Sequence, residues 1–379
     1  FLWHLQSTRR ICRNKKNDME DCVNIVLAGG GTAGHIEPAL NLADELKAMD
    51  STVNITVLGT SRGLEVDLVP ARGYKLELIP AVPLPRKLSG DLVTLPTRLR
   101  SAIKQTRDLL HELQADVVVG FGGYVSIPAY LAARGEVPIV VHEANARAGL
   151  ANRVGARFAD AVAETVPDSL PRAQLIGIPL RKAIETLDRK AMSNQARQHF
   201  GISGDAVCVL VFGGSQGSVK LNSVIEDCLK ADIFGDIVVL HSVGLKNEFA
   251  QAESDRYRPL NYIDRMDLAY AAADFVIGRA GAMTVAELTA VGLPACFVPL
   301  PIGNGEQSLN ATPVVDAGGA LMISDLEFNA EYVRDQILPV ISNSTKLNEM
   351  SKASSSLGHK DSAADLAKLV LSVVGKAKS

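Results

Sequence analysis

A short apolar run leads into three closely spaced glycines in "VNIVLAGGGTAGHIEPAL". Gly29, Gly31 and Gly34 have the spacing G-x-G-x-x-G between a predicted strand and a predicted helix. Glycines let a backbone approach a ligand closely, and a helix start offers unpaired N–H groups and a positive dipole end to an anion. Thr32 and His35 add side-chain donors at the same place. The pattern predicts a phosphate-binding turn, and the alternative is a tight connection that serves packing alone.

The same spacing also occurs in dinucleotide-binding domains, which require an acidic residue at the end of the second strand to hold the ribose hydroxyls. Here the second strand, in "NITVLGTSRG", ends in Gly59 and Thr60. The nearest carboxylates, Asp50 and Glu65, fall outside that strand end in the sequence. A nicotinamide-dependent oxidoreductase is therefore an alternative that lacks one of its expected residues.

A second glycine turn follows a strand in "VFGGSQGSVKLN", with Ser215 and Gln216 at the bend. Because it stands at the first strand–helix junction of the second half of the chain, it matches the first turn in position. Two such turns that face one cleft could bind the two ends of one extended ligand. The pair is more informative than either turn alone.

A third segment, "GRAGAMTVAELTAVGLPACFVPLPIGNGEQSLNA", combines a helix start with a carboxylate. Gly281, Ala282 and Met283 lead into a helix that carries Thr284 and, one turn later, Glu287. Backbone donors would meet a phosphate there, while the carboxylate accepts hydrogen bonds from ribose hydroxyls. Gln307 could bond sugar hydroxyls. The alternative for Glu287 is a favourable charge in the first turn of the helix.

These turns need rigid elements to hold them, and apolar runs that alternate with amphipathic stretches provide them. The runs predicted as strands are "VNIVLA", "NITVLGT", "KLELIP", "DVVVGFGG", "PIVVHE", "DAVAE", "AQLIG", "VCVLVFGG", "IVVLHSVG", "LNYID", "DFVIGRAG" and "PACFVPL". Alternation of this kind is typical of parallel sheets with helices on both faces. We predict an α/β fold of two doubly wound, Rossmann-like domains that face a cleft, because 379 residues exceed one ordinary core.

The predicted boundaries are a tail at 1–21, a first domain at 22–180, a second domain at 181–358 and a helix at 359–379 that packs back on the first domain. A formal charge of -3 gives no overall attraction to nucleic acid. The five cysteines include no Cys-x-x-Cys pair, which argues against a zinc site or a disulfide framework and fits a reducing cytoplasm. No apolar run approaches the roughly 20 residues that span a bilayer.

Seven motifs resemble, in order and spacing, those of the MurG-type N-acetylglucosaminyltransferase family of peptidoglycan synthesis. They are "GGGTAGHIEPAL", "GFGGYVSIPA", "HEANARAGLANR", "IGIPLR", "VFGGSQGS", "YIDRM" and "RAGAMTVAEL…GLPACFVPLP…EQSLNA", and the match runs from Val23 to about residue 375. The resemblance implies a B-type glycosyltransferase fold with an acceptor and membrane domain followed by a UDP-sugar domain. It also implies transfer of N-acetylglucosamine from UDP-N-acetylglucosamine to lipid I, with inversion, to give lipid II.

The resemblance further assigns roles to residues that match the family motifs. His35 and Tyr124 would face the acceptor and the sugar, and Ile263 would receive the uracil through its backbone. Glu287 would hold the ribose. The other implied substrate contacts are Thr32, Ala33, Gly34, Asn145, Arg181, Ser215, Ala282, Met283, Thr284, Val285, Ala286 and Gln307. The chain departs from many members of the family at two positions. It has Ile178 where they have Asn, and it has Glu306 followed by Gln307 where they have two adjacent glutamines.

The implied reaction leaves negative charge on a diphosphate and removes a proton from a sugar hydroxyl. No Asp-x-Asp occurs in the sequence, so we expect Arg181 and helix-start N–H groups to neutralise that charge without a protein-bound metal or other cofactor. Any stimulation by Mg²⁺ would come from its pairing with the substrate diphosphates. His35 is the leading candidate for the base because its pKa suits the task, although it could instead only orient a substrate. Asp264 and Glu143 are the substitutes.

A lipid-linked acceptor also implies contact with a membrane. Residues 84–107 interleave apolar residues with six bases against one acid, Asp91. The bases are Arg86, Lys87, Arg98, Arg100, Lys104 and Arg107. Apolar residues rimmed by bases suit an anionic phospholipid surface, and the alternative is an ordinary amphipathic helix with a solvated basic face. We expect a peripheral protein at the cytoplasmic face of the bacterial membrane, with other cell-wall synthesis proteins as further partners and no nucleic acid.

Two more classes of protein share part of this pattern. A non-catalytic nucleotide-sugar-binding scaffold would keep Ser215 and Glu287 but has no need of His35, Asn145, Arg181 and Gln307 together. A hydrolysing UDP-N-acetylglucosamine epimerase has the same architecture and donor. The acceptor-side motif "GFGGYVS" and the basic segment argue against it.

Overall fold

The two glycine turns belong to two separate sheets in the computed structural model, which describes residues 22–61, 63–82, 91–214, 216–247, 253–301 and 305–378. The predicted tail at 1–21 lies outside these residues. So do Ser215 and two bases of the membrane segment, Arg86 and Lys87.

The first sheet is built from β1 (Asn24–Gly29), β2 (Asn54–Gly59), β3 (Lys75–Leu78), β4 (Val117–Gly122), β5 (Ile139–Glu143), β6 (Ala161–Glu164) and β7 (Gln174–Leu175). Its helices are α1 (Ala33–Met49), α2 (Glu65–Ala71), α3 (Asp91–Glu112), α4 (Ser126–Ala133) and α5 (Leu150–Gly155). The strands are parallel and lie in the order β3-β2-β1-β4-β5-β6-β7. The order reverses between β1 and β4, where the first glycine turn leaves the sheet.

The second sheet contains β8 (Cys208–Phe212), β9 (Val238–Ser242), β10 (Tyr257–Leu260), β11 (Phe275–Gly278), β12 (Ala295–Phe297) and β13 (Ala320–Met322). Helices α6 (Lys182–Glu185) and α7 (Arg189–His199) precede it. The others are α8 (Val219–Lys230), α9 (Met266–Ala272), α10 (Ala282–Ala290), α11 (Glu306–Asp316), α12 (Ala330–Tyr332), a π-helical turn at Val333–Ile337, α13 (Leu338–Ile341), α14 (Ser344–Ser355) and α15 (Ser362–Lys378). The parallel order β10-β9-β8-β11-β12-β13 reverses between β8 and β11, beside the second glycine turn.

The continuous apolar runs of the inner strands follow from burial on both faces. In β1, Ile25 and Leu27 belong to one apolar cluster, whereas Val26 and Ala28 belong to the cluster on the other face of the sheet. Strand residues alternate between faces, so a strand covered by helices on both sides favours apolar residues at successive positions. The result is a stiff platform whose carboxyl edge carries the turns.

The last helix packs on the first domain. Residues of α15 with helical spacing, including Leu366, Ala367 and Val370, are buried in the same cluster as Ile36 and Leu40 of α1. The chain therefore crosses between the sheets twice, once before α6 and once before α15. The exact domain boundaries stay a prediction.

The predicted fold class is confirmed, since two parallel sheets flanked by helices are present. One strand prediction was wrong, and one strand was not predicted. The segment predicted as "LNYID" is largely a turn, and the strand is Tyr257–Leu260, at the sheet edge, where Pro259 is tolerated because its missing N–H is not needed there. The three-residue strand β13 had no prediction because so short a run carries little pattern.

Candidate active site

A cleft of about 650 Å³ lies between the carboxyl edges of the two sheets. It brings together nine of the residues predicted for the site: Thr32, Gly34, His35, Tyr124, Asn145, Ala282, Met283, Thr284 and Gln307. Glu306 and Asn310 line it as well. Val285 and Ala286 instead line a neighbouring apolar cavity of about 200 Å³ together with Ile178. The first turns of two helices in the second domain thus face the first glycine turn across open space.

The first glycine turn is held by a buried carboxylate from the next helix. Glu65 accepts hydrogen bonds from the Gly31 N–H at 3.0 Å and from the Thr60 N–H and hydroxyl at 2.8 and 2.9 Å. Gly31 has a φ of 90°, which only glycine adopts without strain. A Cβ on Gly30 would lie 3.1 Å from a Glu65 oxygen, so the turn and the carboxylate fit each other closely.

Glu65 also bears on the dinucleotide alternative. Its position in the sequence placed it outside the end of β2, but the side chain reaches back to Thr60 at that end. The Gly31 and Thr60 donors already take three of the about four acceptor sites of this carboxylate, so it does not keep the two sites that a pair of ribose hydroxyls needs in a dinucleotide site. Burial opposes its charge, yet the hydrogen bonds from Gly31 and Thr60 lower the pKa of Glu65. The carboxylate orders the turn.

His35 lies in the first turn of α1, and its half-buried side chain lines the cleft. The Thr32 hydroxyl lies 3.1 Å from His35 Nδ1, and a Cβ on Gly122 would lie 3.2 Å from Nε2. Burial lowers the pKa of His35, and the Gly30 backbone and the charge of Glu306 offset this only in part. The imidazole is therefore neutral at neutral pH and able to accept a proton. Tyr124, which is exposed, stands beside it in the cleft.

The loop after β5 connects the two domains through hydrogen bonds. Buried Asn310 of α11 accepts from the Ala146 N–H at 2.8 Å and donates to Asn145 Oδ1 at 3.2 Å. Asn145 in turn donates to Glu143 through its backbone at 2.9 Å and its side chain at 3.3 Å. Asn310 had no role in the sequence-based prediction, because nothing in the local pattern around it indicates a partner on the other domain.

Glu143 is occupied in ordering this loop. Besides Asn145, it accepts from the Gly149 N–H at 3.1 Å and from Asn152 Nδ2 at 2.9 Å. Burial raises its pKa despite these bonds. With its oxygens engaged by four donors, Glu143 is a poorer base candidate than His35. Asp264, the other substitute, is exposed and is not among the residues that line the cleft.

In the second domain, α10 begins where Gly281 caps it, and Ala282, Met283 and Thr284 form its first turn. The first N–H groups of a helix have no partner within the helix, so these residues present donors to the cleft. The start of α11 lines the same cleft, and there Gln307 Oε1 accepts from the Leu300 N–H at 2.9 Å. The structure thus contains a helix start of the kind that was expected to bind an anion.

Glu287 lies beyond the first turn of α10 and is buried, so it is not a surface charge that favours the helix start. Tyr270 donates to its Oε2 at 2.7 Å, and Arg181 Nη2 lies 3.3 Å from Oε1. Burial raises the pKa of Glu287, while Arg181 and Tyr270 oppose that shift. Burial also disfavours the charge of Arg181, but the attraction of Glu287 raises the pKa of its guanidinium. Arg181, at the start of α6, and Glu287 of α10 were both predicted for the site, and they contact each other.

The turn after β10 and the second glycine turn complete the surroundings. Ile263 has its side chain buried in the core of the second domain, so only its backbone is available to a ligand. Arg279, in "GRAGAMT", was not predicted. It donates to the Ser218 hydroxyl at 2.8 Å and to the Val298 carbonyl at 2.9 Å, which fixes the end of the second glycine turn. Its place directly after β11 was the one sequence signal that could have indicated it.

Among the side chains that the structure describes, no group of three or more His, Cys, Asp or Glu residues is arranged to hold a metal ion. The start of α10 contributes positive potential to the cleft, and the guanidinium of Arg181 lies beside Glu287 of the same helix.

Comparisons with known proteins agree with this geometry. The glycosyltransferase family 28 N-terminal domain matches residues 25–164, and the family 28 C-terminal domain matches residues 208–369. A UDP-N-acetylglucosamine–N-acetylmuramyl-(pentapeptide) pyrophosphoryl-undecaprenol N-acetylglucosamine transferase of Mycolicibacterium smegmatis is 54% identical over 96% of this chain and 97% of its own. One of the same name from Streptomyces coelicolor is 57% identical over 89% and 95%.

A solved structure, that of Acinetobacter baumannii MurG, aligns with a TM-score of 0.76 and 27% identity, covering 92% of this chain and 99% of its own. Both family 28 domains are therefore present in one chain, in order, around the cleft that joins them. The chain belongs to the MurG family of glycosyltransferases.

Proposed function

We propose that this protein is an inverting glycosyltransferase that moves N-acetylglucosamine from UDP-N-acetylglucosamine to the N-acetylmuramoyl pentapeptide of undecaprenyl-pyrophosphate lipid I, forming lipid II. One observation carries the proposal. The cleft brings the helix-start donors of α10 in one domain together with His35 of the other, and the buried, hydrogen-bonded carboxylate of Glu287 lies one turn further along α10. These are the groups that a nucleotide-sugar donor and a hydroxyl acceptor need at opposite walls.

On the donor side, the start of α10 supports binding of the diphosphate by the N–H groups of Ala282, Met283 and Thr284. The ribose would bond Glu287, and the uracil would meet the backbone at Ile263. Gln307 and Asn145 reach the cleft from opposite domains and suit the sugar hydroxyls. The remaining donor contacts we propose are Thr32, Ala33, Gly34, Arg181, Ser215, Val285 and Ala286.

On the acceptor side, His35 would take the proton from the attacking sugar hydroxyl. The hydroxyl oxygen bonds to the anomeric carbon as the bond from that carbon to the UDP oxygen breaks, which inverts the configuration. Negative charge then moves onto the diphosphate, where Arg181 and the helix-start N–H groups stabilise it. We propose that no protein-bound metal takes part.

We also propose that the protein acts as a peripheral protein at the cytoplasmic face of the bacterial membrane. Across the described ranges, each helix is too short or too polar to cross a bilayer. Helix α3 supports a surface contact, since Arg98, Arg100 and Lys104 are exposed on it. Anionic phospholipid, lipid I and other cell-wall synthesis proteins are the partners this proposal names.

A transfer assay tests the proposed reaction. Radiolabelled UDP-N-acetylglucosamine and a short-chain lipid I analogue would be mixed with the protein, with and without EDTA, and the lipid product separated and counted. We expect label in the lipid product in both conditions. UDP-N-acetylgalactosamine serves as the control donor. Label that stays in the aqueous phase with the correct donor would contradict the proposal, and a strict loss with EDTA would contradict its metal-free part.

A further inference from the structure

Tyr270 stands directly behind the carboxylate that the donor proposal assigns to the ribose. Its side chain is fully buried, and its hydroxyl donates to Glu287 Oε2 at 2.7 Å. We propose that Tyr270 is a positioning residue for nucleotide recognition, which holds Glu287 so that its remaining acceptor sites point to the ribose hydroxyls. This inference rests on the proposed UDP-sugar donor.

The hydrogen-bonding capacity of the Glu287 carboxylate is limited. Two oxygens offer about four acceptor sites, and here one is taken by Tyr270 and one by Arg181. The sites that remain can accept from neighbouring hydroxyls of a ribose. A buried carboxylate that lost the Tyr270 donor would either rotate toward another donor or take up a proton, because an unsatisfied buried charge is costly. Either change removes acceptors from the ribose.

Tyr270 is itself fixed in a way that suits a positioning role. It lies on α9, the helix that follows the turn containing Ile263, and its carbonyl accepts from Arg189 Nε at 3.0 Å. Its ring centroid is 6.3 Å from that of Phe212, the last residue of β8 before the second glycine turn. One rigid side chain therefore connects the proposed sites for base, ribose and phosphate.

The two partners of Glu287 differ in burial and not in the domain that holds them. Leu180 and Ile184, on either side of Arg181, lie in the same apolar cluster as Tyr270 and Leu288. The Arg181 side chain is 35% exposed, whereas Tyr270 is fully buried. Because the tyrosine is enclosed by the core of the second domain, it is the partner that is less free to leave the carboxylate.

Tyr270→Phe is the direct test, since it removes one oxygen and keeps the ring. Tyr257→Phe is the matched control, because Tyr257 is equally buried in the same domain and its hydroxyl lies 3.2 Å from His241 Nδ1, within the core. Binding of UDP and of 2′-deoxy-UDP to each full-length protein would be measured by titration calorimetry. Thermal unfolding would verify that each variant is folded.

We expect the wild type and Tyr257→Phe to prefer UDP over its deoxy analogue by about tenfold or more, the size of a hydrogen bond to a charged group. Tyr270→Phe should bind UDP roughly tenfold more weakly and prefer it by no more than about twofold. In transfer assays it should raise the donor KM with little change in kcat. Added to Glu287→Gln, the Phe substitution should have little further effect, because it acts through that carboxylate.

Full discrimination against 2′-deoxy-UDP by Tyr270→Phe would overturn the inference, and so would equal effects of the two Phe substitutions. Because the binding measurement needs no acceptor, it is independent of the transfer reaction. A wild type that binds UDP with ribose discrimination but labels no lipid would contradict the proposed function alone. A wild type that transfers sugar while Tyr270→Phe behaves like Tyr257→Phe would contradict only the role of Tyr270.

Discussion

His35 of the first domain and Glu306 of the second domain both line the cleft, and the charge of Glu306 acts on the imidazole. Burial lowers the pKa of His35, and the negative charge of Glu306 works against that shift. A base is active in its unprotonated form, so its activity is present above its pKa and is lost as the pH falls through it. The charge of Glu306 therefore raises the pKa of the proposed base, His35.

Glu306→Gln should move the acid limb of kcat/KM to lower pH. The substitution removes the charge that raises the pKa of His35, so the imidazole stays unprotonated to a lower pH. The measurement is the pH dependence of transfer at subsaturating acceptor, with Glu306→Asp as the control that keeps the charge. An acid limb that stays in place, or moves to higher pH, would count against His35 as the base.

For individual residues, the sequence indicated those that belong to motifs but not the partners that contact them from elsewhere in the chain. Gly31, His35 and Glu287 could be predicted because the turn or helix start that carries each one has a local pattern. Glu65, Tyr270 and Asn310 could not, because each acts through a hydrogen bond to a residue at least 17 positions away, apart from the contact of Glu65 with Thr60. These contacts depend on how far and in which direction a side chain extends in the folded protein, and the spacing of residues in the sequence does not show this.

Among the elements, α3 combines core packing with a basic surface. Ala102, Thr106 and Leu110 recur with helical spacing and are buried, which fixes the helix on the first domain. Arg107 pairs with Glu136 at 3.2 Å, so it contributes less free charge than the sequence predicts. Arg100 and Lys104 stay exposed. The membrane prediction thus depends on the outer face of α3, and Ile103, which packs against the core, is not part of it.

Changing Arg98, Arg100 and Lys104 together to glutamine should release the protein from anionic vesicles. Each base near such a surface contributes about 1 kcal/mol, so the triple variant should bind roughly 100-fold more weakly. Cosedimentation with phosphatidylglycerol vesicles measures this. Lys346, Lys352 and Lys360, which are also exposed and lie far from α3 in the chain, provide a control with the same change in charge. Equal losses in both variants would mean that net charge, and not α3, governs the binding.

The inner strands were predictable because burial on both faces gives long apolar runs, as in β1 and β8. The edge strand β10 was misplaced because Pro259 lowers its strand propensity, although an edge tolerates it. Element type therefore follows from local pattern where a strand is central. At an edge it depends on neighbours that the local sequence does not reveal.

For the whole molecule, the relation between the domains depends on a few polar contacts around the cleft. Asn310 of α11 bonds both Ala146 and Asn145 of the opposite domain, and Asn41 of α1 donates to the carbonyl of Pro179 in the linker at 2.9 Å. An asparagine amide has one acceptor and one donor side, and at Asn310 each side meets its complement. The two-domain arrangement was predictable from length and alternation, whereas this contact was not.

Asn310→Asp should open the cleft at neutral pH and allow it to close again in acid. One carboxylate oxygen can still accept from the Ala146 N–H, but the other meets Asn145 Oδ1 and repels it. Asn145 cannot rotate its amide to compensate, because its Nδ2 already donates to Glu143. Protonation of the new carboxyl restores a donor, so lowering the pH should restore the contact. Asn310→Ala removes both bonds and should stay open at every pH.

Small-angle scattering measures this directly as the radius of gyration of the full chain from pH 7.5 to 5. We expect a larger radius than the wild type for both variants at pH 7.5, and a return toward the wild-type value in acid for Asn310→Asp alone. Asn222→Asp is the control, since Asn222 is buried and bonds Val243 and His241 within the second domain only. A pH-independent radius for Asn310→Asp equal to that of the wild type would show that the amide contact does not hold the domains together. Closure would then have to depend on other surfaces beside the cleft, and the apolar cavity that α10, α11 and the linker line together is where the two domains also approach each other.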